Sequence, residues 1–274
     1  MTARFPERER IGEGPRSSTA EPVSRDNAAG GWFAGDGRGS RRPGRFASVV
    51  VEELAHGIIR GALPTGDVLP TEPVLCKQFG FSRTVIREGL KLLEERGLVK
   101  VEQGRGTTVQ PRSSWNLLDP VVIRIALEYD REMSLLDSLV TVRRVLEQEM
   151  AQAAAGRLTS DELERLAGCI DVMEATFDDY SRFREADQEF HAIVMNASGN
   201  EVGLTIVRTI HRHTGGTPVM IMKAGASREL LDETVADHRA IYDALLDRDG
   251  ARAGALIASH IQGAWAERKR LARA

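Results

Sequence analysis

Apolar residues recur at helical spacing along most of the chain, with one short stretch where they alternate. Starting from Phe46, the residues Val50, Leu54, Ile58 and Ile59 share one helical face. Gly61 stops that helix, and Leu63-Pro-Thr-Gly-Asp67 reads as a turn. A short second helix spans about 72–79 and ends at Gly80. Ser82 suits the N-cap of a third helix over 83–96, with Gly97 as its stop signal. Two β-prone pieces, 98–102 and 107–109, flank Gln103-Gly-Arg-Gly106, which reads as a hairpin turn. This order of elements predicts a winged helix-turn-helix over 46–111. Beyond Pro111 the period is almost wholly helical, with helices expected near 119–128, 134–156, 159–176, 180–197, 201–213, 227–247 and 250–272. Thr159-Ser-Asp-Glu162 has the composition of a helix start, and Gly156, Gly199, Gly215-Gly216 and Gly250 mark breaks. The fold class is therefore mainly α: a winged helix-turn-helix, then an all-α antiparallel helical bundle over 112–274.

Residues 1–45 are rich in Gly, Pro, Ser, Arg and Glu and lack a periodic apolar pattern, so they are expected to form a disordered arm. Its basic end, Arg38, Arg41, Arg42 and Arg45, suits either phosphate contact or plain solvation. Aromatic residues make up only 5% of the chain, which calls for an aliphatic core. The net charge of −3 decides nothing about nucleic acid. Cys76 and Cys169 fall in different expected domains, which fits buried thiols in a reducing cytoplasm rather than a disulfide framework. No apolar run reaches the roughly 18 residues of a membrane span, and the first residues have no apolar signal core, so no membrane partner is expected.

On the third helix, Arg83, Arg87 and Lys91 fall within about 80° of one another, beside an apolar face of Ile86, Leu90 and Leu93. A helix held by one face with a basic face outward can enter the major groove, where Arg pairs with guanine edges and Lys with phosphate. Arg105 at the hairpin tip can reach the DNA backbone or minor groove. Thr71 and Ser82, near helix starts, can bond phosphate. Residues 47–110 hold eight Lys/Arg and eight Asp/Glu, so any DNA footprint must be local, and a dimer would strengthen it.

In the C-terminal part, Asp187 and His191 are four apart on one expected helix. His238 and His260 lie equidistant from the break at Asp247-Arg-Asp-Gly250, so they would face each other across a helical hairpin. One carboxylate and three imidazoles can bind Zn²⁺ or another transition ion with positions left open for an anion. The same residues also suit polar packing on amphipathic helices, and spacing leaves both readings open.

Several separated motifs together resemble the GntR family of bacterial regulators: Leu69-Pro-Thr-Glu72, Phe81-Ser-Arg-Thr-Val-Ile-Arg-Glu88, Leu92-Leu-Glu-Glu-Arg-Gly-Leu-Val99 and Gln103-Gly-Arg-Gly-Thr107. The resemblance implies DNA contacts from Arg83 and Arg87, from Gly104 and Arg105 in the wing, and phosphate-side contacts from Thr71, Ser82 and Thr84. Pro73 stands where the family usually carries a basic residue, which removes one implied contact. Asp187-Gln-Glu-Phe-His191, Asn196-Ala-Ser-Gly-Asn200, Asp237-His-Arg-Ala-Ile241 and His260 resemble the FCD effector domain of the family's FadR-type branch. Trp115-Asn-Leu-Leu-Asp-Pro120 resembles the linker of members with seven effector-domain helices. The resemblance implies a metal held by Asp187, His191, His238 and His260, with zinc foremost and nickel or manganese as alternatives. It also implies that Arg143, in Leu139-Val-Thr-Val-Arg-Arg-Val-Leu-Glu147, grips an effector carboxylate; a surface ion pair with Glu147 is the competing role. Asn200 suits either the effector pocket or a helix cap, and His211 and His213 suit either the pocket or a helix end.

The expected function is that of a homodimeric DNA-binding regulator. Its expected form is a repressor on a palindromic operator, released by a small organic acid such as a hydroxy acid, sugar acid or dicarboxylate. Two alternatives stand beside it: a metal-dependent hydrolase using the Asp/His group, and a DNA-binding protein whose metal is purely structural.

Overall fold

A computed structural model of the protein describes residues 43–214 and 228–273. Arg38, Arg41 and Arg42 of the expected arm, and the Gly215-Gly216 break, lie outside the described residues. The first helix, α1 (Pro43–Ile59), begins three residues before the first apolar position of its stripe. It is followed by α2 (Glu72–Phe79), α3 (Arg83–Glu95), and the antiparallel strands β1 (Val99–Glu102) and β2 (Gly106–Val109). The strand register pairs Val99 with Val109 and Glu102 with Gly106, which leaves Arg105 in the exposed tip. An isolated bridge joins Val68 to Thr108 and ties the loop before α2 to the wing.

The winged domain closes over a single aliphatic core. Val50, Leu54 and Ile58 of α1 meet Leu75 of α2, Ile86, Leu90 and Leu93 of α3, and Leu98, Val99 and Val109 at the wing. Gly97 turns the chain from α3 into β1 with φ +72°, and a Cβ there would lie 1.9 Å from the Ser114 carbonyl oxygen. Both facts restrict this position to glycine. The wing is thereby held against the segment leading to the bundle.

After a single 3-10 turn at Arg112–Ser114, seven further α-helices follow among the described residues: α4 (Pro120–Glu128), α5 (Ser134–Ala154), α6 (Ser160–Ala175), α7 (Tyr180–Ala197), α8 (Glu201–Thr214), α9 (Arg228–Leu246) and α10 (Gly250–Arg273). Asp119 caps α4 by accepting from the Val121 and Val122 amides, and Pro120 fills the first turn, where no amide bond is lost. Thr159 and Glu162 cap α6 reciprocally. The main bundle core draws on α5, α6, α7, α9 and α10, with Phe190, Leu166 and Met173 among its buried members. Helix α4 belongs to two cores at once. Val122 and Ile125 complete the winged-domain core, while Ile123, Ala126 and Leu127 pack with Leu135, Leu136 and Leu139 of α5, Ile210 of α8 and Trp265 of α10. No described helix is long and apolar enough to cross a membrane.

Candidate functional site

The eight DNA-facing candidates Thr71, Ser82, Arg83, Thr84, Arg87, Lys91, Gly104 and Arg105 are all exposed. Thr71 and Ser82 occupy the N-cap positions of α2 and α3, and neither side chain makes a capping hydrogen bond. A helix start whose amides are not closed off by its own cap can donate them to phosphate oxygens. Arg87 is 68% exposed, and its Nε donates to both oxygens of Glu72, at 2.8 and 2.9 Å. Glu72 thus braces the stem of the guanidinium from the neighbouring helix, a role the spacing of α3 alone does not show.

In the bundle, α7 carries Asp187 and His191 one turn apart, and α9 and α10 bring His238 and His260 against them. One candidate ligand atom from each residue lies within 4.8 Å of the others. The imidazole centroids are 5.4 Å apart for His191 and His238, 5.5 Å for His191 and His260, and 4.6 Å for His238 and His260. Phe190 closes the back of the group, its ring edge-on to His238 at 4.7 Å. His238 is 0%, His191 1% and His260 6% exposed.

The hydrogen bonds fix which nitrogen of each ring faces inward. His191 Nδ1 lies 2.7 Å from Glu147, His238 Nδ1 2.7 Å from the Thr234 carbonyl, and His260 Nδ1 3.1 Å from Asp237. Carboxylates and carbonyls accept, so all three Nδ1 atoms donate, and each Nε2 is left as a lone pair. The Nε2 atoms of His191 and His238 are buried and have no hydrogen-bond partner. They face Asp187 Oδ1 at 3.9 and 3.3 Å. Lone pairs converging on a carboxylate repel unless a cation lies among them. Burial disfavours an imidazolium here: it lowers the His191 pKa and, with His238 and His191 adding to the effect, brings that of His260 down to about 4. The residues therefore fit a divalent cation, and a donor set of three nitrogens and one oxygen suits borderline transition ions.

The depressed pKa of His260 has a consequence for metal-free protein. The unfolded histidine takes up its proton near 6.5, whereas the folded one waits until about 4. Unfolded chains therefore bind more protons across that window, and stability falls as pH drops through it. Chelator-treated protein is expected to lose about 3 kcal/mol between pH 6.5 and pH 4. Urea midpoints measured along the pH series check this, and a flat profile from pH 7 to 4.5 would contradict it.

Behind the tetrad stands a group that spacing does not reveal. Glu147 is 0% exposed and accepts three hydrogen bonds: from Arg143 Nε at 2.5 Å, His191 Nδ1 at 2.7 Å and His211 Nε2 at 2.9 Å. Burial opposes its ionisation, but Arg143 and His191 outweigh that and hold its pKa well below the usual carboxylate range. The Arg143–Glu147 pair is thus an inner one rather than the surface pair that i, i+4 spacing suggests, with the Arg143 side chain only 16% exposed. Arg143 also lines a cleft of about 100 Å³ whose walls include Asp187, His260, Tyr180 and Trp265. Asn200 is placed elsewhere. Its side-chain oxygen accepts from the Gly203 amide at 2.9 Å, capping α8, and it lines neither this cleft nor the groove of about 560 Å³ beside His191 and His211. That groove includes His211, whereas His213, farther along α8, has its pKa lowered by burial and by Arg212 and Arg124.

Comparison with known proteins accounts for both halves. A family model described as "Bacterial regulatory proteins, gntR family" matches residues 46–109, and one described as "FCD domain" matches 138–263. The "Galactonate operon transcriptional repressor" of Escherichia coli K12 is 32% identical over 204 residues, covering 73% of this chain and 87% of that protein. The "Glc operon transcriptional activator" of the same organism is 30% identical over 220 residues, covering 76% and 82%. A solved structure titled "Lar controls the expression of the Listeria monocytogenes agr system and mediates virulence" superposes with TM-score 0.50 at 20% identity, covering 86% of this chain and 99% of that one, which shows the shared fold. Neither named relative supports the hydrolytic alternative. The chain belongs to the GntR family of transcriptional regulators, with a DNA-binding helix-turn-helix domain and a C-terminal FCD effector domain in the FadR-type arrangement.

Proposed function

We propose that this regulator is a repressor released by a small carboxylate bound at a metal in the effector domain. The observation that carries the reading is the pair of buried, unpartnered Nε2 atoms on His191 and His238, aimed at Asp187. Asp187, His191, His238 and His260 hold the ion, with zinc favoured by the donor set. When bound, a divalent ion supplies a Lewis-acidic anchor for a chelating acid. Glu147, Thr234 and Asp237 fix the ring orientations, and the Arg143 guanidinium offers its remaining donors to the acid group in the adjoining cleft. Hydroxy acids, sugar acids and dicarboxylates share the required chemistry, and a relative named for the galactonate operon lies in that class. Two copies place two α3 helices on half-sites about 34–36 Å apart, on a palindromic operator.

Titration of a labelled duplex, selected by the protein from a random pool, tests the DNA half. Arg83→Ala and Arg87→Ala are each expected to weaken binding by about 1–3 kcal/mol. Release of that duplex by a panel of C2–C6 hydroxy acids, sugar acids and dicarboxylates, with and without chelator, tests the sensing half. Release that is indifferent to chelator would sink the metal reading, and full binding by both arginine variants would sink the assigned reading face.

A further inference from the structure

We infer that His211 is the positioning residue that reads the state of the tetrad and passes it, through α8 and α4, to the recognition helix. The inference rests on the metal reading above and adds the route by which that site reaches the DNA-binding domain. Glu147 is a three-way junction. One of its oxygens accepts from the candidate ligand His191, and the other accepts from Arg143 and from His211 on α8. His211 is thus one carboxylate away from the tetrad. A ligand that draws His191 Nε2 inward turns its ring, and Nδ1 carries Glu147 with it. Glu147 is 0% exposed, so a lost donor leaves a buried charge under-satisfied unless His211 follows the shift.

The next residues transmit the shift by packing. Ile210, adjacent to His211, is fully buried among Ile123, Ala126 and Leu127 of α4. A neighbouring face of α4 places Val122 and Ile125 in the winged-domain core with Leu90 and Leu93 of α3. Two polar contacts tie the same helix to the DNA-binding domain. Arg124 donates to Glu52 of α1 at 2.5 Å, and Asp119 accepts from Arg96 Nε at the end of α3 at 3.1 Å. Arg96 in turn donates to the Leu92 carbonyl of α3 at 2.8 Å. Close-packed contacts of this kind pass on displacement because they have no slack to absorb it.

Two amide variants that differ by one methylene test the route. In His211→Gln the side-chain amide reaches the position of Nε2 and keeps a donor to Glu147; in His211→Asn it stops short. Hydrogen exchange is followed on the full chain with and without saturating zinc chloride. In the wild type, zinc is expected to slow exchange at least about fivefold in α7, α9 and α10, and also in α8 and α4, at the low end of couplings between distinct sites. His211→Asn is expected to keep the zinc effect in α7, α9 and α10 and lose it in α8 and α4. His211→Gln is expected to restore it. Wild-type-like protection of α8 and α4 in His211→Asn overturns the relay alone, as does equal loss in both variants. A zinc effect absent from every helix of the wild type overturns the metal reading instead.

Discussion

Replacing Glu147 with leucine is expected to destabilise chelator-treated protein by about 3–5 kcal/mol, a large share of the roughly 5–15 kcal/mol that holds a typical domain together. The cost arises because three donors lose their acceptor at once. Arg143 keeps its charge with only 16% of its side chain exposed, and His191 and His211 lose the carboxylate that fixed their rings. Breaking a buried pair from one side leaves an uncompensated charge, whereas removing both partners does not. The double variant Arg143→Met, Glu147→Met is therefore expected to recover much of the loss, with the two substitutions strongly non-additive. Glu147→Gln separates charge from shape. Its carboxamide has one acceptor oxygen where the carboxylate has two, so the N–H groups of His191 and His211 cannot both be satisfied without one ring changing tautomer. Zinc affinity is expected to fall about 10–100-fold in Glu147→Gln, the usual effect of an outer-shell partner. Urea unfolding of these proteins, and of Arg143→Met and Glu147→Met alone, measures the stability terms and the coupling, and a loss below about 1 kcal/mol in Glu147→Leu would mean the pair is screened as surface pairs are.

The chain's local patterns account for its helices and for the tetrad, and they stop at the group behind it. Helix limits are legible where capping chemistry is local, as at Thr159–Glu162, because the cap involves neighbours in sequence. The start of α1 at Pro43 is less legible, since its first turn carries no apolar residue before Phe46. His238 and His260 are legible as a pair because a helical hairpin makes distance from the turn equivalent to height. Glu147 is not: Arg143 and Glu147 at i, i+4 look like the solvated pairs that decorate most helices. What distinguishes them is the arrival of α7 and α8 over the same carboxylate, from 44 and 64 residues away. The three outer partners Glu147, Thr234 and Asp237 follow one rule, an acceptor for each Nδ1. That rule can be applied only once the ring positions are known.

Zinc is expected to raise the unfolding free energy by about 4 kcal/mol when present at a thousand times its dissociation constant, since the converging lone pairs exist only in the folded chain. Removal with a chelator should reverse the gain. His238→Ala is expected to abolish nearly all of that increment. Its Nε2 is one of the tetrad's two orphaned nitrogens, its Nδ1 is tied to Thr234, and its ring packs edge-on against Phe190. Asp187→Asn is expected to behave alike, because an amide brings no negative charge to offset the ion's. Taking the difference with and without zinc inside each variant cancels the cavity cost of the substitution itself. His56→Ala serves as the control: that ring stands in α1, edge-on to Tyr129 at 5.9 Å and outside the tetrad, so its zinc increment should match the wild type. Equal zinc increments in His56→Ala and His238→Ala would place the ion elsewhere in the chain. A full increment in Asp187→Asn alone would mean that three imidazoles suffice, and would leave the carboxylate free to bond the effector or a bound water.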